Sequence, residues 1–238
     1  MMAGLEGFMF ARGTVDLLDI SALAVSGPVP MTRLVGVSGD DIMEAARLVL
    51  AGRLIAYPTD TVYGLGCNPF DVDAVERLVV AKERVKGSLP ILVSSLKEAE
   101  RLGEMGGAAA ELANRFWPGP LTLVVRARSN FPAKVTSDSQ FVGLRMPHHE
   151  TARRLIQESG GALIGTSANI SGRPAPRTAQ EVVRELEGRV DLVLDGGPSL
   201  LGRESTVVRI LEAEITVLRD GALPRDDILK ALTVRRAS

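Results

Sequence analysis

Short apolar runs alternate with segments of helical periodicity along most of the chain, and this alternation restricts the possible folds more than any other feature. The runs have the length and composition of buried strands. They lie at Leu54–Tyr57, Pro90–Ser94, Leu121–Val125, Val142–Met146, Ala162–Ile164, Leu192–Leu194, Thr206–Ile210 and Ile215–Leu218. This pattern predicts an α/β (α+β) protein in which a mixed sheet is covered by helices on both faces.

Two helix starts carry a capping box. Ser38 with Asp41, and Thr178 with Glu181, have the spacing at which side chain and backbone cap each other at a helix N-terminus. The first helix is expected to stop at Gly52 and the second near Gly188. Further helices are predicted over residues 73–82, 108–117 and 151–158.

Composition excludes several classes of function. Lys plus Arg number 28 and Asp plus Glu 29, so a formal net charge of -1 gives no global attraction for nucleic acid. Cys67 is the single cysteine, which excludes an internal disulfide and a cysteine metal cluster and suits a reducing, cytoplasmic setting. The only histidines, His148 and His149, are adjacent and therefore point apart, so no metal site is predicted. No apolar stretch approaches the roughly 20 residues of a membrane span.

The first thirty residues differ from the rest. Their apolar residues follow no steady period, and acidic residues such as Glu6 and Asp16 interrupt any secretory signal. We expect a weakly ordered or accessory extension over residues 1–30 and one folded domain over residues 31–238.

Two polar segments follow predicted strands. Tyr57–Gly66 packs hydroxyls, a carboxylate and two glycines together, but it matches neither the dinucleotide glycine fingerprint nor a Walker loop. Thr166–Gly172 is rich in small hydroxyl and amide residues that can fix a loop by bonding its backbone. Taken alone, Thr166–Gly172 is better explained as an ordinary polar turn between a strand and a loop.

Other segments leave alternatives open. Lys82–Lys86 is either a solvated helix end, whose cations offset the helix dipole, or a phosphate clamp. Arg145 lies within an apolar run and needs an anionic partner, which could be a structural carboxylate or a substrate carboxylate. Trp117–Thr122 indicates a packed corner more than a base-stacking platform. Gly202–Thr206 and Leu218–Gly221 place polar groups at strand ends, where ligands commonly bind.

Taken together and in order, these segments resemble the YrdC-like family of threonylcarbamoyl-AMP synthases. The matching stretches are YPTDTVYGLG (57–66), KER (82–84), WPGPLT (117–122), LRMP (144–147), TSANISG (166–172), GRESTVV (202–208) and LRDG (218–221). The resemblance covers about Leu34 to Gly221. It implies a three-layer catalytic domain with a twisted mixed sheet and a concave, basic cavity.

The resemblance also implies a nucleotidyltransferase reaction. L-Threonine, bicarbonate and ATP would give L-threonylcarbamoyladenylate and pyrophosphate, and a separate transferase complex would pass the threonylcarbamoyl group to a tRNA adenosine (t6A). By motif, the threonine-binding residues would be Thr61, Arg145 and Ser205, with Arg145 meeting the carboxylate. The ATP-binding residues would be Lys82, Arg84, Ser167, Asn169 and Arg219, with Lys82 and Arg84 also catalytic. Mg2+ would be held mainly through the phosphates, without a protein metal site.

Two departures limit what the resemblance implies. After its K-x-R pair the family often reads R-P-x-x-x-P-L, which this chain lacks, so no role is predicted between Val85 and Leu92. The chain ends 17 residues after Gly221, so we expect the short form, without the C-terminal domain and lid of longer relatives.

The sequence leaves two alternatives to this function open. One is a carbamoyl-adenylate enzyme like the related domain of hydrogenase-maturation carbamoyltransferases, whose cysteine-rich zinc modules a chain with one cysteine cannot form. The other is an RNA- or tRNA-binding module, which the net charge and the scarcity of aromatic residues disfavour. A weak tRNA contact stays open if the cations Lys82, Arg84, Lys86, Arg173 and Arg177 converge.

Overall fold

The strands form two mixed sheets in a computed structural model that describes residues 31–84, 86–211 and 214–233. The extension predicted over residues 1–30 lies outside the described residues. Within the described ranges the strands are β1 (Arg33–Val35), β2 (Ile55–Tyr57), β3 (Gly64–Gly66), β4 (Ile91–Val93), β5 (Leu121–Arg126), β6 (Phe141–Arg145), β7 (Ala162–Ile164), β8 (Thr166–Ser167), β9 (Leu192–Leu194), β10 (Thr206–Leu211) and β11 (Glu214–Arg219).

The helices include all those that the sequence predicts. They are α1 (Gly39–Leu50), α2 (Val72–Ala81), α3 (Leu96–Leu102), α4 (Ala108–Phe116), α5 (Ala133–Thr136), α6 (Glu150–Glu158), α7 (Ala179–Leu186) and α8 (Arg225–Thr233). Both capping boxes are present, at Ser38 and at Thr178. Gly52 follows the end of α1 with a φ of 77°, a conformation that favours glycine. No helix in the described ranges combines the length and the apolar character needed to cross a membrane.

The mixed α/β class is confirmed, but the strands divide between two sheets where the sequence predicted one. The first sheet has the order β1-β9-β2-β3-β8, and the second has the order β11-β10-β5-β6-β4-β7. Both contain parallel and antiparallel pairs. The apolar runs gave no information on pairing, because short buried strands of either sheet have the same composition.

The chain crosses from the second sheet to the first at Gly165, between β7 and β8. A Cβ on this residue would overlap the side chain of Leu92, so only glycine allows this close passage. The Gly165 amide donates to the Pro90 carbonyl at 2.9 Å, and the Ala168 amide donates to the Tyr63 carbonyl at 2.9 Å. These contacts bring the Thr166–Gly172 segment beside the Tyr57–Gly66 segment.

Two apolar clusters hold the layers together. The smaller one joins α1 and α6 to strand residues of both sheets, including Ile55 and Leu163. The larger one gathers α2, α4, α7 and α8 around the other strands. Trp117 belongs to it: the indole is buried and donates through Nε1 to the Leu121 carbonyl at 2.7 Å. The interpretation of this segment as a packed corner is therefore confirmed.

Candidate functional site

Polar side chains from several segments line a cavity over one face of the second sheet, which we call the main cavity. Its floor is formed by residues of successive strands that are paired in register: Arg219 opposite Val207, Val207 opposite Thr122, Val124 opposite Gly143 and Leu92 opposite Arg145. Side chains two apart on a strand share a face of the sheet. Because the strands are paired in this register, residues far apart in sequence meet on that face. The wall is formed by residues 59, 61–64, 165–167 and 204–205, together with Arg84, Ser88 and Pro90.

Arg145 is buried at the end of β6 with a partner for each of its three nitrogens. Nη2 contacts Asp60 Oδ1 at 2.5 Å, Nη1 donates to Thr61 Oγ1 at 2.9 Å, and Nε donates to the Gly119 carbonyl at 2.9 Å. The partner that the sequence left open is thus a structural carboxylate, Asp60. A guanidinium has five N–H donors, so two remain for a ligand in the cavity.

The hydroxyl of Thr61 has a defined direction. Thr59 Oγ1 gives its only proton to the Val62 carbonyl at 2.6 Å, so Thr61 must donate the 2.9 Å bond between the two threonine hydroxyls. Since Thr61 Oγ1 also accepts from Arg145, its remaining capacity is one acceptor site. Thr61 can therefore receive a hydrogen bond from a ligand but has none to donate.

Ser205 links the floor of the cavity to Arg219. Its hydroxyl lies 2.8 Å from Thr122 Oγ1, and Arg219 Nη2 donates to the Ser205 carbonyl at 2.9 Å. Arg219 Nη1 also forms an ion pair with Glu204 at 3.0 Å. Gly221 allows this approach, because a Cβ there would overlap the backbone between Ser205 and Thr206.

A second cavity, the side cavity, adjoins the first. It is lined by Lys82 and Asn169, and it shares Arg84, Ser167 and Glu204 with the main cavity. Six of the eight site residues predicted from the resemblance therefore line the main cavity, and the other two line the side cavity. The two cavities meet at the three shared residues.

Lys82 is a buried cation that directly follows α2. Its side chain is only 1% exposed, which rules out a solvated helix end at this residue. Its Nζ donates to the backbone carbonyls of Ser167 and Asn169, the latter at 2.7 Å. Lys82 thus holds the Thr166–Gly172 segment in place through two backbone carbonyls. One of its three ammonium protons remains for a ligand.

Asn169 holds the same segment from within. Its Nδ2 donates to the carbonyls of Ile170 at 2.9 Å and Arg173 at 2.7 Å. Its Oδ1 is buried without a hydrogen-bond partner. Because both amide donors are occupied, this side chain has only an acceptor to offer.

Desolvation governs the charges of the site. Burial, together with the nearby Arg84 guanidinium, lowers the pKa of Lys82 to about 8. Burial also lowers the pKa of Arg84 and, against the opposing charge of Asp60, that of Arg145. Cations that have lost hydration without full compensation gain from an anionic ligand.

Metal ligands are scarce in this region. The described residues include no group of three or more His, Cys, Asp and Glu side chains that could hold a metal ion. His148 and His149 line a separate cavity beside α6.

The sequence missed three residues of the site: Asp60, Thr59 and Glu204. The first two lie in the Tyr57–Gly66 segment, whose density of hydroxyl and carboxylate groups was the available signal. Glu204 lies in the Gly202–Thr206 segment, where only Ser205 was given a role. No sequence pattern pairs Asp60 with an arginine 85 residues later.

Comparison with known proteins identifies relatives over most of the chain. A family model described as Sua5_yciO_yrdC, telomere recombination, matches residues 47–221. A threonylcarbamoyl-AMP synthase of Pyrococcus abyssi is 42% identical over 190 residues, which cover 79% of this chain and 56% of the relative. A putative threonylcarbamoyl-AMP synthase of Mycobacterium tuberculosis is 39% identical over 199 residues, which cover 83% of this chain and 91% of the relative.

A solved structure agrees in fold. The crystal structure of P. abyssi Sua5 complexed with L-threonine superposes with a TM-score of 0.79 at 39% identity, over 85% of this chain and 60% of that one. The chain thus spans less than two thirds of the length of the P. abyssi proteins.

Proposed function

The chain belongs to the Sua5/YciO/YrdC family, and from that membership we propose that it is a threonylcarbamoyl-AMP synthase. It would form L-threonylcarbamoyladenylate and pyrophosphate from L-threonine, bicarbonate and ATP. One observation carries the proposal: the residues that the resemblance assigns to threonine and to ATP line two cavities that share Arg84, Ser167 and Glu204. Two substrates that must react together need adjoining sites of this kind.

The main cavity suits threonine. Arg145 has two unused N–H donors for a carboxylate, and its pairing with Asp60 fixes the plane in which they point. Thr61 can accept a hydrogen bond from the substrate hydroxyl or ammonium. Ser205 and its partner Thr122 supply further hydroxyls on the floor.

The side cavity and its boundary suit the triphosphate of ATP. Lys82, Arg84 and Arg173 line the side cavity, against the single carboxylate of Glu204. Arg219 lines the adjoining main cavity and is paired with Glu204. Three arginines also line the main cavity, which supports the basic cavity implied by the resemblance. Ser167 lies between the two spaces and can contact either substrate.

The chain's own groups fit Mg2+ that arrives with the phosphates. Asn169 Oδ1 is a buried, unpartnered oxygen at the side cavity, and magnesium commonly takes only one or two protein oxygens beside the phosphates. When bound, Mg2+ would add positive charge to the phosphate oxygens. We propose no larger protein cage for it.

In the proposed reaction the threonine amine, after losing the extra proton of its ammonium form, combines with bicarbonate to give a carbamate and water. A carbamate oxygen then attacks the α-phosphorus of ATP and expels pyrophosphate. The protein needs no covalent intermediate. Arg145 and Thr61 would orient threonine, while Lys82, Arg84 and Arg219 would neutralise charge on the phosphates. Positioning and electrostatic stabilisation supply most of the acceleration in reactions of this type. The product would pass to a transferase complex that modifies tRNA.

Pyrophosphate release tests this function. Release should require threonine and bicarbonate together with ATP, and Arg84→Gln should lower it by about tenfold or more, since it removes charge at the shared boundary. Arg115→Gln, which removes an exposed arginine of α4, is the matched control and should leave release unchanged. ATP turnover that is indifferent to threonine would reject the proposal. Salt-dependent tRNA binding without adenylate would favour the RNA-binding alternative.

A further inference from the structure

Glu204 is the only acidic residue that lines either the main cavity or the side cavity in the described part of the chain. It lies where the two cavities meet, beside Arg84 and Ser167. A carboxylate here opposes the binding of phosphate, because like charges repel at short range. Phosphate binding explains the surrounding cations but does not explain why a carboxylate lies at this position.

In the ligand-free protein Glu204 has a cationic partner. Its carboxylate accepts from Arg219 Nη1 at 3.0 Å, and both side chains are about two fifths exposed. Its charge also favours the protonated forms of Lys82 and Arg84. One carboxylate thus acts on the same three cations that the proposed function assigns to ATP.

The order of groups along the two cavities indicates a second partner. Arg145, assigned to the threonine carboxylate, lies in the main cavity, and Lys82, assigned to the phosphates, lies in the side cavity. The carbamate that forms on the threonine nitrogen must reach the α-phosphorus of ATP, so this nitrogen belongs near the boundary. Asp60 is already paired with Arg145, which leaves Glu204 as the carboxylate that can meet an ammonium there.

We propose that Glu204 exchanges partners during substrate binding: it holds Arg219 in the free protein and receives the threonine ammonium after the phosphates of ATP have taken Arg219. This inference rests on the proposed function. It makes ATP binding favour threonine binding, and by linkage the reverse also holds. It also gives the site a means to recognise an α-amino acid by both of its charged groups.

The proposal predicts opposite effects on the two substrates. Glu204→Gln frees Arg219 and removes a repulsive charge, so ATP should bind about two- to fivefold tighter, the range of an exposed ion pair. When the ATP analogue is bound, the same variant loses a charge-assisted hydrogen bond to the ammonium, so threonine should then bind about tenfold weaker. Glu98→Gln, which removes a carboxylate paired with Arg101 on α3, should change neither affinity.

Isothermal titration calorimetry measures both effects on the full chain. ATP is titrated alone, and threonine is titrated with and without a non-hydrolysable ATP analogue. In wild-type protein the analogue should raise threonine affinity, and Glu204→Gln should abolish this coupling. In the Arg219→Gln background, Glu204→Gln can raise ATP affinity only by removing its repulsive charge, so a double-mutant cycle should show non-additive effects of the two substitutions, as expected of residues in contact.

Four results would overturn the inference. Equal weakening of both ligands would indicate a structural role for Glu204. A loss of ATP affinity that occurs only when Mg2+ is present would make the carboxylate a metal ligand instead. Wild-type protein that binds neither ligand would overturn the proposed function together with this inference, whereas normal wild-type binding with no effect of Glu204→Gln would overturn this inference alone.

Discussion

Removal of the Asp60 charge should destabilise the protein far more than removal of a surface carboxylate held at the same distance. Arg145–Asp60 and Arg33–Glu44 are both ion pairs of 2.5 Å. Their side chains differ in exposure, 7% and 5% for the first pair against 54% and 38% for the second. The two pairs therefore have the same N–O distance and differ in burial.

The expected loss follows from the cost of a buried, uncompensated charge. Asp60→Asn leaves the Arg145 guanidinium without its counter-ion, and breaking a buried pair in this way costs about 3–5 kcal/mol. For a chain of this size that corresponds to a fall in Tm of roughly 6–20 °C. Glu44→Gln should leave stability close to wild type, because water screens the exposed Arg33.

Guanidinium denaturation followed by the fluorescence of Trp117 measures these losses. This residue is the chain's single tryptophan and is buried, so its emission reports unfolding. The double variant Asp60→Asn with Arg145→Met should recover much of the lost stability, because no unpaired charge remains. If Asp60→Asn costs no more than Glu44→Gln at an unchanged m-value, the reasoning about this pair is refuted.

Three further predictions concern the site. Arg145→Ala should raise the threonine requirement far more than the ATP requirement, and equal losses in steady-state kinetics would contradict its carboxylate role. The pKa of Lys82 is about 8 in the folded protein and about 10.5 in the unfolded chain, so the unfolded state binds more protons between these pH values. Lys82 should therefore make the free energy of unfolding rise with pH in this range by up to about 3 kcal/mol. The rise should appear as the difference between the free energies of unfolding of wild type and Lys82→Met, and a pH-independent difference would contradict it. Gly221→Ala should displace Ser205 and impair threonine-dependent turnover. Gly106→Ala is the control and should have little effect on the same turnover, because a Cβ at Gly106 meets open space. Similar activity in both variants would show that the Gly221 contact is dispensable.

Local sequence signals predicted the elements that have strong patterns of their own. β7 matches its predicted bounds, Ala162–Ile164, because glycine precedes and follows the apolar run. β3 was not predicted, since two of its three residues are glycines with low strand propensity. It is a strand because β2 and β8 pair with it on either side. α3 was also missed, although Ser95 caps the amide of Glu98 at its start.

At the site, the sequence could not predict the contacts between segments that are far apart along the chain. Arg145 could be recognised as needing an anion, because a buried guanidinium in an apolar strand is costly. Its partner could not be identified, because sequence spacing does not reveal which carboxylate the sheet register brings near. The same limit applies to Lys82, whose charge suggested phosphate binding, while its contacts to the carbonyls of Ser167 and Asn169 depend on the crossing at Gly165. The resemblance supplied the set of residues, and the structure supplies their arrangement.

Mass-spectrometric detection of threonylcarbamoyl-AMP tests the central claim most directly. Purified protein is incubated with ATP, L-threonine and bicarbonate, and 13C-labelled bicarbonate identifies the carbamoyl carbon. We predict an adenylate that carries the label and that is absent when threonine is omitted. Pyrophosphate or AMP formed without this labelled adenylate, from protein that binds both substrates, would contradict the account.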